Sequence, residues 1–390
     1  MHQKKYFQNQ IELPLYGTTN NSSIIFDDVD NDNNNELIIG ILEGKVSIYK
    51  GSNCQKVVSI YNLGMITNVL CGKIYLKDYN NLLVISGKGK IHIIEVPYLK
   101  NDPLKTKITL MPIYSQHIPA NTKTGILIDF DGDGLDEVVI GLTDRIVRSF
   151  KWVFDAQVKN DLQISTQNLK GKFIAYHKWE LIKQIGNLSY DFNTGFLGKI
   201  EDKYKTLRLL CSQPKNSYVI LPTQEQLNND NLEYFSNFQH PDISPNNNMP
   251  VEYITITPSQ PQESSNSSTE ICGSLIINLQ DVKHSYSALI TIDGKLYVLL
   301  KDSVVYSLNL KDSLFGLGKL NLLDRDHDQF IFSSWQGNTY ILDPPNNITV
   351  HQFNQDVRAF SFGYYSFRDS KKLPCLIYIT LDNIGYLTYD

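Results

Sequence analysis

The segment LIIGILEGKVSIYK, from Leu37 to Lys50, reads as two β-prone runs joined by a tight turn at Glu43-Gly44. Glycine at that point supplies the positive φ that a short hairpin needs. Consecutive apolar residues such as Leu37-Ile38-Ile39 suit a strand covered on both faces rather than one with a wet face. The pattern returns six times: LLVISGKGKIHIIEV from Leu82, EVVIGLTDRIVRSFKW from Glu137, LRLLCSQPKNSYVIL from Leu207, ALITIDGKLYVLL from Ala288, FIFSSWQGNTYILD from Phe330 and CLIYITLDNIGYLTYD from Cys375. Gly89-Lys90, Asp293-Gly294 and Gln336-Gly337 supply equivalent turns. The starts stand 45, 55, 70, 81, 42 and 45 residues apart, and the short values match one four-stranded propeller blade. Helical periodicity is weak throughout.

These readings predict an all-β chain, a single seven-bladed β-propeller over residues 1–390. The seventh copy ends at what would be the third strand of its blade. The stretch Gln10-Ile11-Glu12-Leu13-Pro14-Leu15 is therefore expected to pair there, closing the last blade and removing a sheet edge. Irregular insertions are expected at 153–172 and 224–270, the second rich in Asn, Ser, Pro and Gln and unable to bury a core of its own.

Composition narrows function. With 36 basic against 41 acidic residues the net charge is −5, which offers no cationic field to a phosphate backbone, so nucleic acid is not an expected partner. Cys54, Cys71, Cys211, Cys272 and Cys375 lack the paired spacing of a zinc site or redox dithiol and read as reduced thiols. The start, MHQKKYFQNQIELPL, has no apolar signal core, and no apolar run of membrane-spanning length occurs. A cytoplasmic location without direct membrane insertion follows as the expectation. No GxSxG, HExxH or GxxxxGK[ST] is present, and Cys71-Gly72-Lys73-Ile74 puts Ile where a phosphate loop needs a hydroxyl. His92, His117, His177, His284, His327 and His351 are scattered, and Trp152, Trp179 and Trp335 read as packing anchors. No catalytic residues are expected, and the chain reads as a non-enzyme.

The sharpest local pattern is a pair of nine-residue acidic loops. One is Asp28-Val29-Asp30-Asn31-Asp32-Asn33-Asn34-Asn35-Glu36 and the other Asp129-Phe130-Asp131-Gly132-Asp133-Gly134-Leu135-Asp136-Glu137. Oxygen donors at positions 1, 3, 5 and 9, with a backbone carbonyl at position 7, could wrap calcium. The candidate ligands are Asp28, Asp30, Asp32, Asn34 and Glu36, and Asp129, Asp131, Asp133, Leu135 and Glu137, with Asn34 and Leu135 acting through their carbonyls. Position 6 needs a left-handed bend, suited to Gly134 and to Asn33. An EF-hand would place a bidentate Glu at position 12, where Ile39 and Ile140 stand, so the loops belong between strands. The metal-free alternative is an acidic turn whose carboxylates cap backbone N–H groups. A third cluster, Asp324-Arg325-Asp326-His327-Asp328, has Phe332 at its ninth position and reads as a turn without metal.

The loops and the strands after them resemble FG-GAP repeats, the blade motif of integrin alpha-chain propellers in which DxDxDGxxD binds calcium. Gln116 to Trp152, QHIPANTKTGILIDFDGDGLDEVVIGLTDRIVRSFKW, is similar to the corresponding blade of the integrin-alpha FG-GAP repeat-containing family of the KICSTOR complex. FDDVDNDNNNELIIGILEGKVSIYKG, SSWQGNTYILD, DVRAFSFGYY and PCLIYIT are similar too. The first loop departs from the FG-GAP pattern with Asn33 for Gly, and both loops end in Glu instead of Asp. The resemblance implies a non-enzymatic scaffold subunit, recruited to the lysosomal surface through its complex. Its implied protein partners are a kaptin-like propeller, a large KICSTOR scaffold subunit and the GATOR GTPase-activating assembly, which together restrain TOR complex signalling on nutrient limitation. Calcium, if held, would be structural. The family is expected to continue beyond the propeller, whereas this chain stops at Asp390. The alternative is a calcium-dependent integrin-type adhesion or ligand-binding propeller, which would require secretion.

Overall fold

In the computed structural model the residues described are 7–99, 110–154, 171–193, 206–222, 251–256, 268–279, 282–300, 302–323, 325–367 and 371–390. They form seven four-stranded antiparallel sheets, the seven-bladed β-propeller expected from the hairpins. Blade 1 holds Ile24–Asp27, Glu36–Ile41, Lys45–Lys50 and Gln55–Ile60. Blade 2 holds Ile66–Gly72, Asn81–Ser86, Lys90–Ile94 and Tyr114–His117, and blade 3 Thr122–Ile128, Glu137–Leu142, Ile146–Phe154 and Gly171–Glu180. Leu188–Asn193, Thr206–Gln213, Ser217–Leu221 and Glu252–Thr255 make blade 4, and Thr269–Leu279, Val282–Thr291, Lys295–Leu300 and Ser303–Asn309 make blade 5. Blade 6 contains Leu314–Leu320, Gln329–Ser334, Asn338–Asp343 and Asn347–Gln352. Blade 7 takes Val357–Ser366, Lys372–Thr380 and Ile384–Tyr389 from the end of the chain and Asn9–Pro14 from its start.

Each repeated hairpin supplies the second and third strands of a blade. The second strands of blades 1, 2, 3 and 6 are buried at every position, which is why their sequences are apolar on both faces. Outer strands such as Ser303–Asn309 alternate and stay largely open. Gly44, at φ +89°, turns the first hairpin, and a Cβ there would meet the Gly64 carbonyl at 2.8 Å. Elsewhere Arg145 and Asn383 adopt positive φ where the hairpin has no glycine.

The closing pairing is in register from Asn9 opposite Tyr389 to Pro14 opposite Ile384. Leu13 and Leu15 enter a core with Ile377, Ile379 and Leu387, so the N-terminal strand contributes apolar contacts as well as covering the edge. Glu252–Thr255 is a strand inside the stretch expected to be irregular at 224–270. Four residues suffice to complete blade 4 because Ser217–Leu221 already offers its free edge. Gly171 and Lys172 likewise begin the last strand of blade 3. Val153 and Phe154 end the third strand of blade 3, and Thr269 and Glu270 open the first strand of blade 5, so these ends of the expected insertions are also regular; 155–170, 224–250 and 257–267 lie outside the described residues. Trp152 and Trp179 are buried anchors, whereas Trp335 is 53% exposed because the blade 6 hairpin turn carries it past the end of its strand.

Two compact units make up the chain, one of His177–Asp356 with Asp144–Val147 and the other of Tyr6–Thr143, Arg148–Tyr176 and Val357–Asp390. In the second unit, Val29, Ile38, Val46 and Ile48 of blade 1 pack with Val69, Leu82 and Val84 of blade 2. In the first, Ala288, Ile290 and Val298 of blade 5 pack with Phe330, Phe332 and Leu342 of blade 6. Among the described residues no helix is long and apolar enough to cross a membrane.

Candidate functional site

Both acidic loops connect the first and second strands of a blade, as the sequence suggested. Their bends are as expected, with Asn33 at φ +68° and Gly134 at φ +85°. In the first loop Asp28 accepts hydrogen bonds from the N–H groups of Asp32 at 3.0 Å and Asn33 at 2.8 Å, and Asp32 Oδ1 accepts one from Asn34 N–H at 2.8 Å. The second loop repeats this: Asp129 accepts from the N–H groups of Gly132 and Gly134, Asp131 from Asp133, and Asp133 from Leu135. Glu36 Oε2 accepts from Val29 N–H, and Glu137 Oε2 from Phe130 N–H.

Carboxylate atoms of Asp28, Asp30 and Asp32, and of Asp129, Asp131 and Glu137, lie within 4.8 Å of one another. Each cluster holds a lysine. Lys50 Nζ lies 2.6 Å from Asp30 Oδ2, 2.7 Å from Asp32 Oδ2 and 3.0 Å from Glu36 Oε1. Its side chain is 5% exposed, and those of Asp30 and Glu36 are fully buried. Lys151 Nζ contacts Asp131 and lies 2.9 Å from Asp133 and 3.2 Å from Glu137. This second site is more open, its lysine 21% exposed.

The electrostatics follow from that enclosure. Burial, reinforced by neighbouring Asp30, pushes the Glu36 carboxyl up to about 8 against the pull of Lys50. Burial likewise takes Glu137 to about 7. Asp30 is raised by burial despite the Lys50 bond. For Asp32 burial also acts upward, but Lys50 and the Asn34 N–H outweigh it and hold it below the usual range. Burial alone would lower Lys50 and Lys151, yet the carboxylates around each hold both well above the usual lysine range.

Calcium takes six to eight oxygens at about 2.3–2.6 Å. The oxygens of Asp30, Asp32 and Glu36 that would face such an ion already surround an ammonium, and both Asp28 oxygens are engaged by backbone N–H groups. A divalent ion could not share those oxygens at bonding distance without displacing Lys50, so the residues present do not fit calcium as they stand.

Sequence reasoning missed the lysines. The signal was available: each lysine stands fourteen residues after the position-9 glutamate, as in Glu36 to Lys50 and Glu137 to Lys151. The hairpin register explains the spacing, since Leu37 pairs with Tyr49 and the next positions outward are Glu36 and Lys50. The same two places are occupied in blade 6 by Gln329 and Asp343, one step beyond the Phe330 to Leu342 pair. There the loop begins at Asn321, three residues before the expected Asp324, because Asn321 Oδ1 accepts from Arg325 N–H as Asp28 does from Asp32. Arg325 bonds Asp343, and His327 Nε2 lies 2.7 Å from it. Gln329 Oε1 accepts from the N–H groups of Leu322 and Leu323, matching Glu36 and Val29. In blade 2, Tyr75 donates to Glu95, and Asn81 Nδ2 donates to the Tyr75 hydroxyl at 3.3 Å.

Among the described residues no disulfide forms: Cys71 is half-buried, and Cys54, Cys211, Cys272 and Cys375 are buried.

The family model of integrin-alpha FG-GAP repeat-containing protein 2 matches residues 50–390. The chain is 30% identical over 411 residues to the KICSTOR complex protein ITFG2 of Bos taurus, covering 100% of this chain and 71% of that protein. To the Mus musculus protein of the same name it is 30% identical over 409 residues, covering 100% and 86%. Among solved structures, BBS1N in complex with ARL6DN superposes with a TM-score of 0.62 at 13% identity, covering 98% of this chain and 96% of that one. Chaetomium thermophilum Raptor gives 0.58 at 11% identity, covering 100% of this chain and 29% of that one. At such identities these two likenesses speak for the fold alone.

Proposed function

Because the chain belongs to the integrin-alpha FG-GAP repeat-containing protein 2 family, we propose that it is the propeller subunit of a KICSTOR-type complex, acting by binding other proteins and not by catalysis. The observation that carries this reading is the 30% identity spread over the whole chain to relatives named as KICSTOR complex proteins. The partners are a second, kaptin-like propeller and a large scaffold subunit, which together hold a GATOR-type GTPase-activating assembly at the lysosomal surface. The chain would thereby restrain TOR complex signalling when nutrients are scarce, with catalysis residing in the partner assembly.

The fold suits that role physically. Its blades carry fully buried central strands and turn-rich ends, so binding surfaces are presented by a framework that loses little conformational entropy on association. The charged groups in the acidic loops are already paired with lysines instead of converging on open substrate space, which supports a structural use of them.

The test is purification of the tagged full chain from cells under mild lysis, with and without amino-acid starvation, followed by mass spectrometry. Stoichiometric recovery of a second propeller protein and of GATOR-like subunits is expected. Recovery of well-expressed, folded chain without them would overturn the proposal.

A further inference from the structure

We propose that Lys50 and Lys151 are built-in cations standing where an FG-GAP loop would hold calcium, so that both loops close without metal and become divalent-cation sites only when the lysine is taken away. Three observations point the same way. Each ammonium lies within ion-pair reach of the position-3, position-5 and position-9 carboxylates of its own loop, the oxygens a central ion would need. A single cation from the third strand of the blade pairs with all three carboxylates of its loop.

Blade 6 provides the second observation. The same two locations are used there with the charges exchanged, Arg325 in the loop against Asp343 at the strand end, and Gln329 replaces the position-9 glutamate. A loop built to hold a cation could not tolerate an arginine at position 5, whereas a loop closed by an internal ion pair can reverse its signs. Blade 2 gives the third. Its pair is Tyr75 and Glu95, assisted by Asn81, so the contact between loop and strand end persists where the three-carboxylate arrangement does not. What recurs in these blades is the cross-link itself, of which the lysine-carboxylate form is one version.

Removing the lysine side chain beyond Cβ would leave Asp28, Asp30, Asp32 and Glu36 around a vacated volume, with position 6 already bent to bring the loop round an ion. The inference does not depend on the proposed complex, because its readout uses the isolated full chain. Thermal unfolding of the wild type, Lys50→Ala and Lys151→Ala is compared in EDTA and in millimolar calcium chloride, alongside titration with terbium as a luminescent substitute for calcium. Tyr98, whose ring centre lies 5.6 Å from Lys50 Nζ, is placed to sensitise terbium emission at the first loop.

The wild type is expected to keep its melting temperature within about 1 °C between the two buffers and to show no terbium signal. Each variant is expected to melt lower in EDTA and to recover by at least about 2 °C in calcium. The terbium signal of Lys50→Ala should vanish when Asp30→Asn is added. Should Lys50→Ala not fold in EDTA, Lys151→Ala carries the comparison, since its site is more open and its loss milder. A wild type stabilised by calcium and destabilised by EDTA would overturn the inference. So would folded lysine variants indifferent to both calcium and terbium.

Discussion

Replacing Lys50 by methionine keeps the apolar stem and removes only the ammonium, so it isolates what that charge contributes. The Lys50 side chain is 5% exposed, those of Asp30 and Glu36 are fully buried and that of Asp32 is 9% exposed, so water is poorly placed to replace the lost cation. Removing one partner from a buried ion pair costs about 3–5 kcal/mol. The lower half of that range is expected here. Asp30 keeps the Leu99 N–H at 2.7 Å, Asp32 keeps the Asn34 N–H, and the Glu36 carboxyl, pushed up to about 8, already holds its proton at pH 7. The contact with the Tyr98 ring adds roughly 0.5–1 kcal/mol at most. At roughly 1.2 °C per kcal/mol for a chain of 390 residues, the melting temperature should fall by about 4–6 °C. Differential scanning calorimetry of the full chain at pH 7 in EDTA measures it. A fall under about 2 °C would refute the reasoning, because a buried three-carboxylate cluster would then be shown to need no cation.

Lys151→Met should cost less, about 1–2 kcal/mol, since Asp131 and Asp133 are 23% and 38% exposed and water can screen them; chemical denaturation would show a loss equal to that of Lys50→Met if the burial argument fails. Glu36→Gln should be well tolerated, as Gln329 performs the same backbone bonding in blade 6, and it should alter the pH profile. A carboxyl raised from 4.5 to about 8 binds its proton more tightly when folded, so its contribution is largest below pH 4.5 and declines as pH rises towards 8. Glu36→Gln should therefore gain on the wild type between pH 5.5 and 8 in melting-temperature scans, and a constant gap would contradict this. Deleting residues 1–16 removes the closing strand with buried Leu13 and Leu15, each contributing about 1.5–3 kcal/mol, so thermal stability should drop by several degrees; an unchanged melting curve would mean that the strand does not close the blade.

The blades were legible because their hairpins repeat a local pattern. Leu37-Ile38-Ile39 and Val138-Val139 announce strands buried on both faces, and Gly44, Gly294 and Gly337 mark the turns by a backbone conformation few other residues adopt readily. The closing strand was legible from an accounting of edges. The short strand Glu252–Thr255 was not, since four residues in a polar stretch carry too little periodicity to separate strand from loop, and pairing with Ser217–Leu221 decides it. The acidic loops were visible, but their occupant was not. A reading along nine residues cannot see a lysine that arrives from the end of the following hairpin, fourteen residues after Glu36. The blade 6 loop was placed three residues late because Asp324, Asp326 and Asp328 drew attention by charge, whereas Asn321 and Gln329 make the equivalent backbone bonds without it.

That this propeller works as a subunit and not alone is open to test by the size at which the native protein travels. Gel filtration of a gently prepared lysate, with the fractions probed for this chain, should place most of it in a large assembly together with a second propeller protein. Elution of nearly all the chain as a free species of 44.6 kDa would contradict the account.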